Sequence, residues 1–155
     1  GPNSTISNAE ISTEVEIIYS IVLDSCIGEK SKIGPFSFIR GNSKIGENVE
    51  IGNFVEIKSS EISENTKSKH LAYLGDLSIS KNVNIGAGFV SANYDGNKKQ
   101  KSQIKENVFV GSNSTIVSPV IIHKNSIVGA GSVVIKDVPE GVTVIGIPAE
   151  KKEEE

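Results

Sequence analysis

The chain has 155 residues, a formal net charge of −3 at neutral pH and a sequence pI near 5.5, which argues against nucleic acid or an anionic membrane as its partner. Aromatic residues make up only 5% and tryptophan is absent, so the core of this one domain has to be built from Ile, Val and Leu. No apolar run approaches membrane-spanning length, no segment reads as a signal peptide, and the single cysteine, Cys26, has no internal disulfide partner. A reduced, cytoplasmic setting is the expectation.

In chain order, Gly1-Pro2 ahead of a polar Asn/Ser run, in a chain without methionine, reads as a cleavage scar and disordered N-terminus over residues 1–9. Residues 10–149 read as one domain and 150–155 as a charged tail. Within the domain an aliphatic residue recurs every six positions: Ile11, Ile17 and Leu23, then Ile27 through Ile57, then Ile62, Leu74, Ile79 and Ile85, and again from Ile104 to Val134. Only Ser68 and Ser91 break the rule. Three residues after the aliphatic comes Asn or Gly, as in Asn42, Asn48, Asn65, Asn82, Gly88, Asn107, Asn113, Asn125 and Gly131. Those residue types tolerate left-handed backbone angles and mark a corner in each hexad.

A corner every six residues with one large aliphatic pointing inward predicts an all-β, single-stranded parallel β-helix of triangular section. Neither the 3.6-residue period of a helix nor the two-residue alternation of a hairpin stack fits. Three hexads make a coil, and roughly twenty hexads give about seven coils stacked at the strand spacing. The periodicity leaves the hand of the coil open. The beat fails over Ala92–Gln103, which is too polar for an interior and predicts one extruded loop near residues 92–103, the kind of segment that carries function in a solenoid. Past Lys136, Pro139 and Pro148 suit a cap at the end of the prism.

The stretch from Lys67 to Lys99 departs most from the repeat. It holds His70-Leu71-Ala72-Tyr73-Leu74-Gly75-Asp76, Asn82-Val83-Asn84-Ile85-Gly86-Ala87-Gly88 and Asn93-Tyr94-Asp95-Gly96. With Gly34-Pro35-Phe36, Arg40 and Gly52-Asn53-Phe54-Val55-Glu56-Ile57-Lys58, it resembles the hexapeptide-repeat acyltransferases. The likeness narrows to the acetyltransferase domain of the bifunctional N-acetylglucosamine-1-phosphate uridyltransferase/glucosamine-1-phosphate acetyltransferase family. The resemblance runs from about Ile27 to Val138. It implies a left-handed coil, a homotrimer with sites at subunit interfaces, and transfer of acetyl from acetyl-CoA to the amine of glucosamine-1-phosphate in UDP-N-acetylglucosamine biosynthesis.

By that resemblance His70 is the general base, a role its unperturbed pKa near working pH suits. Arg40, Lys58, Tyr73, Asn84 and Lys99 would hold the amino-sugar phosphate. A guanidinium fork matches a pair of phosphate oxygens, and Arg40 is the only arginine in the chain. Ala87, Asn93, Tyr94, Ser112 and Ala130 would line the acetyl-CoA site, and the loop bearing Lys98, Lys99 and Lys101 would reach a neighbouring subunit. Where the family carries an arginine against coenzyme A, this chain has Ile147, and the uridyltransferase domain is not part of the sequence. From spacing alone Ala87, Ser112 and Ala130 also read as ordinary small repeat positions, and His123 as a surface residue.

No metal is expected: the β-helix carbonic anhydrases use three histidines and this chain has two. The glycines follow the hexad and open no helix, so there is no phosphate-binding loop or dinucleotide fingerprint. Two other functions fit the repeat: acyl transfer to another amino sugar or a sugar nucleotide, and a catalytically silent trimerisation or scaffold domain.

Overall fold

The computed structural model describes residues 1 and 3–152, and among these residues there is no helix. The chain winds as a left-handed parallel β-helix of about eight turns. Thr5 pairs with Ile21, Ile21 with Phe38, and Phe38 with Glu56, steps of 16, 17 and 18 residues. Coils shorter than three full hexads, together with an earlier start, account for the eighth turn beyond the seven that the sequence suggests. Thr5–Ser7, expected within a disordered N-terminus, is a strand paired in parallel with Ile21–Leu23. At the other end Glu150–Lys151, the start of the expected tail, pairs antiparallel with Val144 and Ile145. The rest of that tail, from residue 153, and Pro2 lie outside the described residues.

Apart from the positions of Ser68 and Ser91, the coils contribute inward aliphatics on each face, and these form a buried stack from Ile17 to Val144. Burying each such side chain stabilises the fold by about 1.5–3 kcal/mol, and it can be buried only against neighbouring coils. In the short second coil the inward residue is Val22, fully buried, and not Leu23. All nine corners read from Asn and Gly have positive φ, from 52° at Asn48 to 76° at Gly88. The backbone left-handed bend is therefore assigned to the residue types that adopt it most readily.

Ser91, on an aliphatic position, is buried and compensated. The large, fully buried Phe89 fills the volume beside it, and its hydroxyl accepts the Gly75 N–H at 2.7 Å. Ser68 is buried on the same terms but its Oγ has no hydrogen-bond partner.

Two nine-residue strands, Glu50–Lys58 and Lys67–Gly75, turn a corner without breaking. Their corner residues are Phe54 (φ 59°) and Leu71 (φ 32°). Tyr19 and Phe36 hold the same corner in the coils before them, also at positive φ. Phe36 stacks on Phe54 at 5.6 Å with the rings 11° apart, while Leu71 is 63% exposed. Bulky side chains at left-handed angles are uncommon and cost energy, so this apolar ridge is a strained feature set into an otherwise regular prism.

The extruded loop is shorter than residues 92–103. Ala92 pairs with Val117 and Ser102 with Leu77, so the protrusion spans 93–101 and the coil step there is 25 residues. Ser102 stands two residues before an inward aliphatic, where the repeat accepts serine. Its buried hydroxyl donates to Ser118 Oγ at 2.7 Å. Polarity alone therefore overstated the loop.

Candidate functional site

The site is divided by the Phe36–Phe54–Leu71 ridge. On one side lies the face carrying Arg40, Lys58 and Tyr73. Strand register puts Arg40 beside Lys58 and Tyr73 beside Glu56. Arg40 Nε and Nη2 donate to the same Glu56 carboxylate oxygen at 2.9 and 2.7 Å. Its guanidinium also sits 5.2 Å from the centre of the Phe38 ring. The fork is thus held in place by an acid that the sequence reading gives no role.

Lys58 points outward beside Lys99 of the loop. The Lys99 ammonium is the chief cause that lowers the Lys58 pKa below the ordinary lysine value, with Arg40 adding to it and Asp76 opposing it. Three cations are thereby gathered with two carboxylates, Glu56 and Asp76, so the cluster keeps a net positive charge. Asn93 is buried, and its Nδ2 donates to Asp76 Oδ2 at 2.5 Å and lies 3.4 Å from the Tyr73 hydroxyl. That hydroxyl lies over Gly75, where any side chain would collide with it. Tyr73, Glu56, Phe89 and Val90 line an open depression of about 450 Å³ against the ridge.

The loop that brings Lys99 is itself held by Asp95. The Asn97 and Lys98 N–H groups donate to Asp95 Oδ1 at 2.8 and 2.7 Å, and Gln100 Nε2 donates to Oδ2 at 3.1 Å. Those donors hold the Asp95 carboxyl below its usual pKa, the backbone N–H of Lys98 contributing most. Tyr94 is exposed and its hydroxyl donates to the Gly96 carbonyl at 2.8 Å. In the single chain the loop therefore folds onto its own prism and places Lys99 beside its own Lys58.

On the other side of the ridge stands His70. It is exposed, its Nδ1 is 3.0 Å from Asn53 Oδ1, and it lines a depression of about 300 Å³ with Asn53, Gly34, Pro35 and Lys69. Below it runs a column of small residues. The register of Lys67 with Asn84, Asn84 with Phe109, and Phe109 with Ile127 sets Ala87, Ser112 and Ala130 one per coil under His70. Corner hydrogen bonds from Asn113 N–H to the Ala87 carbonyl and from Gly131 N–H to the Ser112 carbonyl tie that column together. Glycine precedes all three members: an added Cβ would stand 2.5 Å from the Ser112 nitrogen at Gly86, 2.5 Å from the Ala130 nitrogen at Gly111, and 2.6 Å from the Ile145 side chain at Gly129. The result is a flat strip running along the prism from the imidazole. It ends beside Gly146 and Ile147, the latter 77% exposed.

The sequence-derived residues are therefore brought together in two groups. Arg40, Lys58, Tyr73, Asn93 and Lys99 form one; His70, Ala87, Ser112 and Ala130 form the other. Asn84 lies on the face of His70, between Lys67 and Phe109, and does not reach the Arg40 cluster within one chain. His123 is exposed in an ordinary hexad. Three polar residues of the site were missed in the sequence: Asn53, Glu56 and Asp76. Each lies in a run that carries the resemblance, but its place in the site shows only in register, about one coil from a singled-out residue in a cross-strand pair or hydrogen bond. Among the described residues no three acidic, histidine or cysteine side chains cluster as metal ligands.

Comparison with known proteins bears on the family and the fold. The signature described as "Bacterial transferase hexapeptide (six repeats)" matches residues 24–59 and 101–136. Over 140 residues, 90% of this chain, the sequence is 51% identical to the bifunctional protein GlmU of Acetivibrio thermocellus. The chain spans 30% of that relative and 32% of the GlmU of Clostridioides difficile, to which it is 46% identical over 145 residues. Among solved structures, PerB from Caulobacter crescentus, described in complex with CoA and GDP-perosamine, superposes with a TM-score of 0.72 and 26% identity. That match covers 79% of this chain and 57% of the other.

Proposed function

We propose that the chain, whose residues 24–59 and 101–136 match the bacterial transferase hexapeptide signature, is the acetyltransferase part of a GlmU-type protein. In this reading it moves the acetyl group of acetyl-CoA to the amine of glucosamine-1-phosphate, in the cytoplasm. One observation carries the reading: the strip Ala87, Ser112 and Ala130 runs one residue per coil directly from the imidazole of His70. A pantetheine arm lying flat on that strip delivers its thioester to the only group beside it suited to take a proton near neutral pH.

The amine nitrogen attacks the thioester carbonyl, its proton passes to His70, the carbon–sulfur bond breaks, and the coenzyme A thiolate leaves and takes up that proton. The Ala87 N–H enters no backbone hydrogen bond among the described residues and can donate to the developing oxyanion. Arg40, Lys58 and Lys99 hold the sugar phosphate, whose charge relieves the repulsion among them. Tyr73 orients the sugar, and Asn93, expected from the resemblance at the acetyl-CoA site, lies instead beside the Tyr73 hydroxyl and Asp76 in this chain.

The ridge of Phe36, Phe54 and Leu71 separates this phosphate cluster from His70 in one chain. A small sugar phosphate touches both only when the cluster of one copy faces the imidazole of another. The third face supports the same packing: it presents Glu10, Lys44, Glu61, Ser78 and Gln103 outward and suits solvent. The strained ridge, by contrast, leaves aromatic surface uncovered. Three copies around one axis, ridge inward, cover all three ridges and build three composite sites. Release of free CoA with glucosamine-1-phosphate, read beside the molecular mass in solution, tests the proposal. Activity with that amine from a trimer supports it, and no CoA release from a trimer rejects it.

The exposed Ile147 at the end of the strip favours a second reading, acyl transfer to an amino sugar carried on a nucleotide. PerB, described with GDP-perosamine, is a neighbour of that kind. A panel of amines assayed for CoA release separates the two by their relative kcat/KM.

A further inference from the structure

Asn53 stands one coil before His70 as its direct cross-strand neighbour. It is half-buried, it faces the same depression, and its Oδ1 is 3.0 Å from His70 Nδ1. A carboxamide oxygen has only lone pairs to offer, so the ring nitrogen that faces it must carry the hydrogen. We propose that Asn53 is a positioning residue that holds His70 as its Nδ1–H tautomer, leaving the Nε2 lone pair free to take the proton of the attacking amine. This rests on the reading of His70 as the general base.

The choice of an amide over an acid has a chemical consequence. A carboxylate in its place would stabilise the imidazolium and keep the base loaded with a proton at working pH. The amide fixes the ring and the tautomer without adding charge. The other charged groups on the depression are committed elsewhere. Glu50 is bound by Lys69 and Lys67, which hold its carboxyl below the usual range, and Lys32 pairs with Glu16 at 3.6 Å. None of the ion pairs described involves His70. The imidazole therefore owes its orientation to one neutral partner.

The test uses the whole chain as wild type, Asn53→Leu, Asn53→Asp and His70→Ala. The tautomer of His70 is read from nitrogen NMR of labelled histidine above its titration, the His70→Ala spectrum distinguishing it from His123. Wild type should show Nδ1 protonated and Nε2 bare. Asn53→Leu should lose that preference and drop kcat on the order of 10–100-fold, the scale known for partners that orient metal-bound imidazoles, with both KM values and the melting temperature little changed. Asn53→Asp should move the acidic limb of the kcat profile to higher pH. Protonation at Nε2 in wild type, or wild-type kcat and pH profile in Asn53→Leu, would overturn the assignment. If His70→Ala keeps full turnover, the base reading falls and this one with it. If His70→Ala is inactive while Asn53→Leu is normal, only the positioning role falls.

Discussion

His70 and Tyr73 are three residues apart in one continuous strand, yet they line depressions on opposite sides of the corner that Leu71 turns. In the proposed function, a base on one side and a phosphate cluster on the other would make an incomplete site in an isolated chain. That separation is the structural reason to expect copies of the chain to act together.

The first prediction concerns the two histidines. His70→Ala should lower kcat by about 10²–10⁴, the ordinary contribution of a general base. His123→Ala, exposed in a regular hexad, should leave kcat and KM unchanged. Steady-state rates of CoA release for the two variants decide it.

Lys58 carries the second. Its pKa is lowered by the Lys99 ammonium and then by Arg40, so the folded chain disfavours this cation. The resulting cost is present at neutral pH and is relieved as pH rises through the lowered pKa towards the ordinary lysine range. Lys58→Ala should therefore leave the melting temperature at pH 7 unchanged or higher while raising KM for the sugar phosphate, and the KM difference should shrink with added salt. A loss of stability with unchanged KM would assign Lys58 to the fold instead.

The small-residue strip can be blocked from outside. Ser112 is exposed, so Ser112→Trp can be accommodated by the fold but would stand where the proposed function lays the pantetheine arm. KM for acetyl-CoA should rise roughly 10–100-fold, the scale on which small misplacements act, without a fall in melting temperature. Calorimetric titration with acetyl-CoA checks it directly.

Inside the prism, Ser68 occupies an aliphatic position with its Oγ buried and unpartnered. Ser68→Val removes the unsatisfied hydroxyl and fills space between Ile51 and Ile85. Stability should rise by about 0.5–2 kcal/mol, read as an upward shift in the thermal midpoint. A fall would mean that the stack there is already full.

The prism was legible in the sequence because one rule, a buried aliphatic with an Asn or Gly corner three residues later, acts locally and repeats. The departures came where the rule is satisfied by exchange. Ser91 is tolerated because Phe89 fills its space, and Val22 replaces Leu23 because the coil is two residues short. Ser102 returns to the prism earlier than its polarity suggested. The singled-out site residues were visible as an interruption in the beat and by resemblance. Their grouping was not, because it depends on which side of a strained corner each residue falls. The hexad places Phe36, Phe54 and Leu71 at corner positions, three residues after Ile33, Ile51 and Ser68, but their residue types give no sign of the positive φ they adopt. Asn53, Glu56 and Asp76 emerge only once coils of 16–18 residues are laid in register.

The most direct measurement mixes two inactive variants. His70→Ala chains lack the base and Lys58→Ala chains lack part of the phosphate cluster; each alone should show little CoA release at low sugar phosphate. Assemblies formed from both contain interfaces where an intact His70 faces an intact Lys58 from another copy, and they should regain a substantial share of activity. Mixed assemblies, verified by mass, that remain as inactive as their parents would contradict a site built across copies.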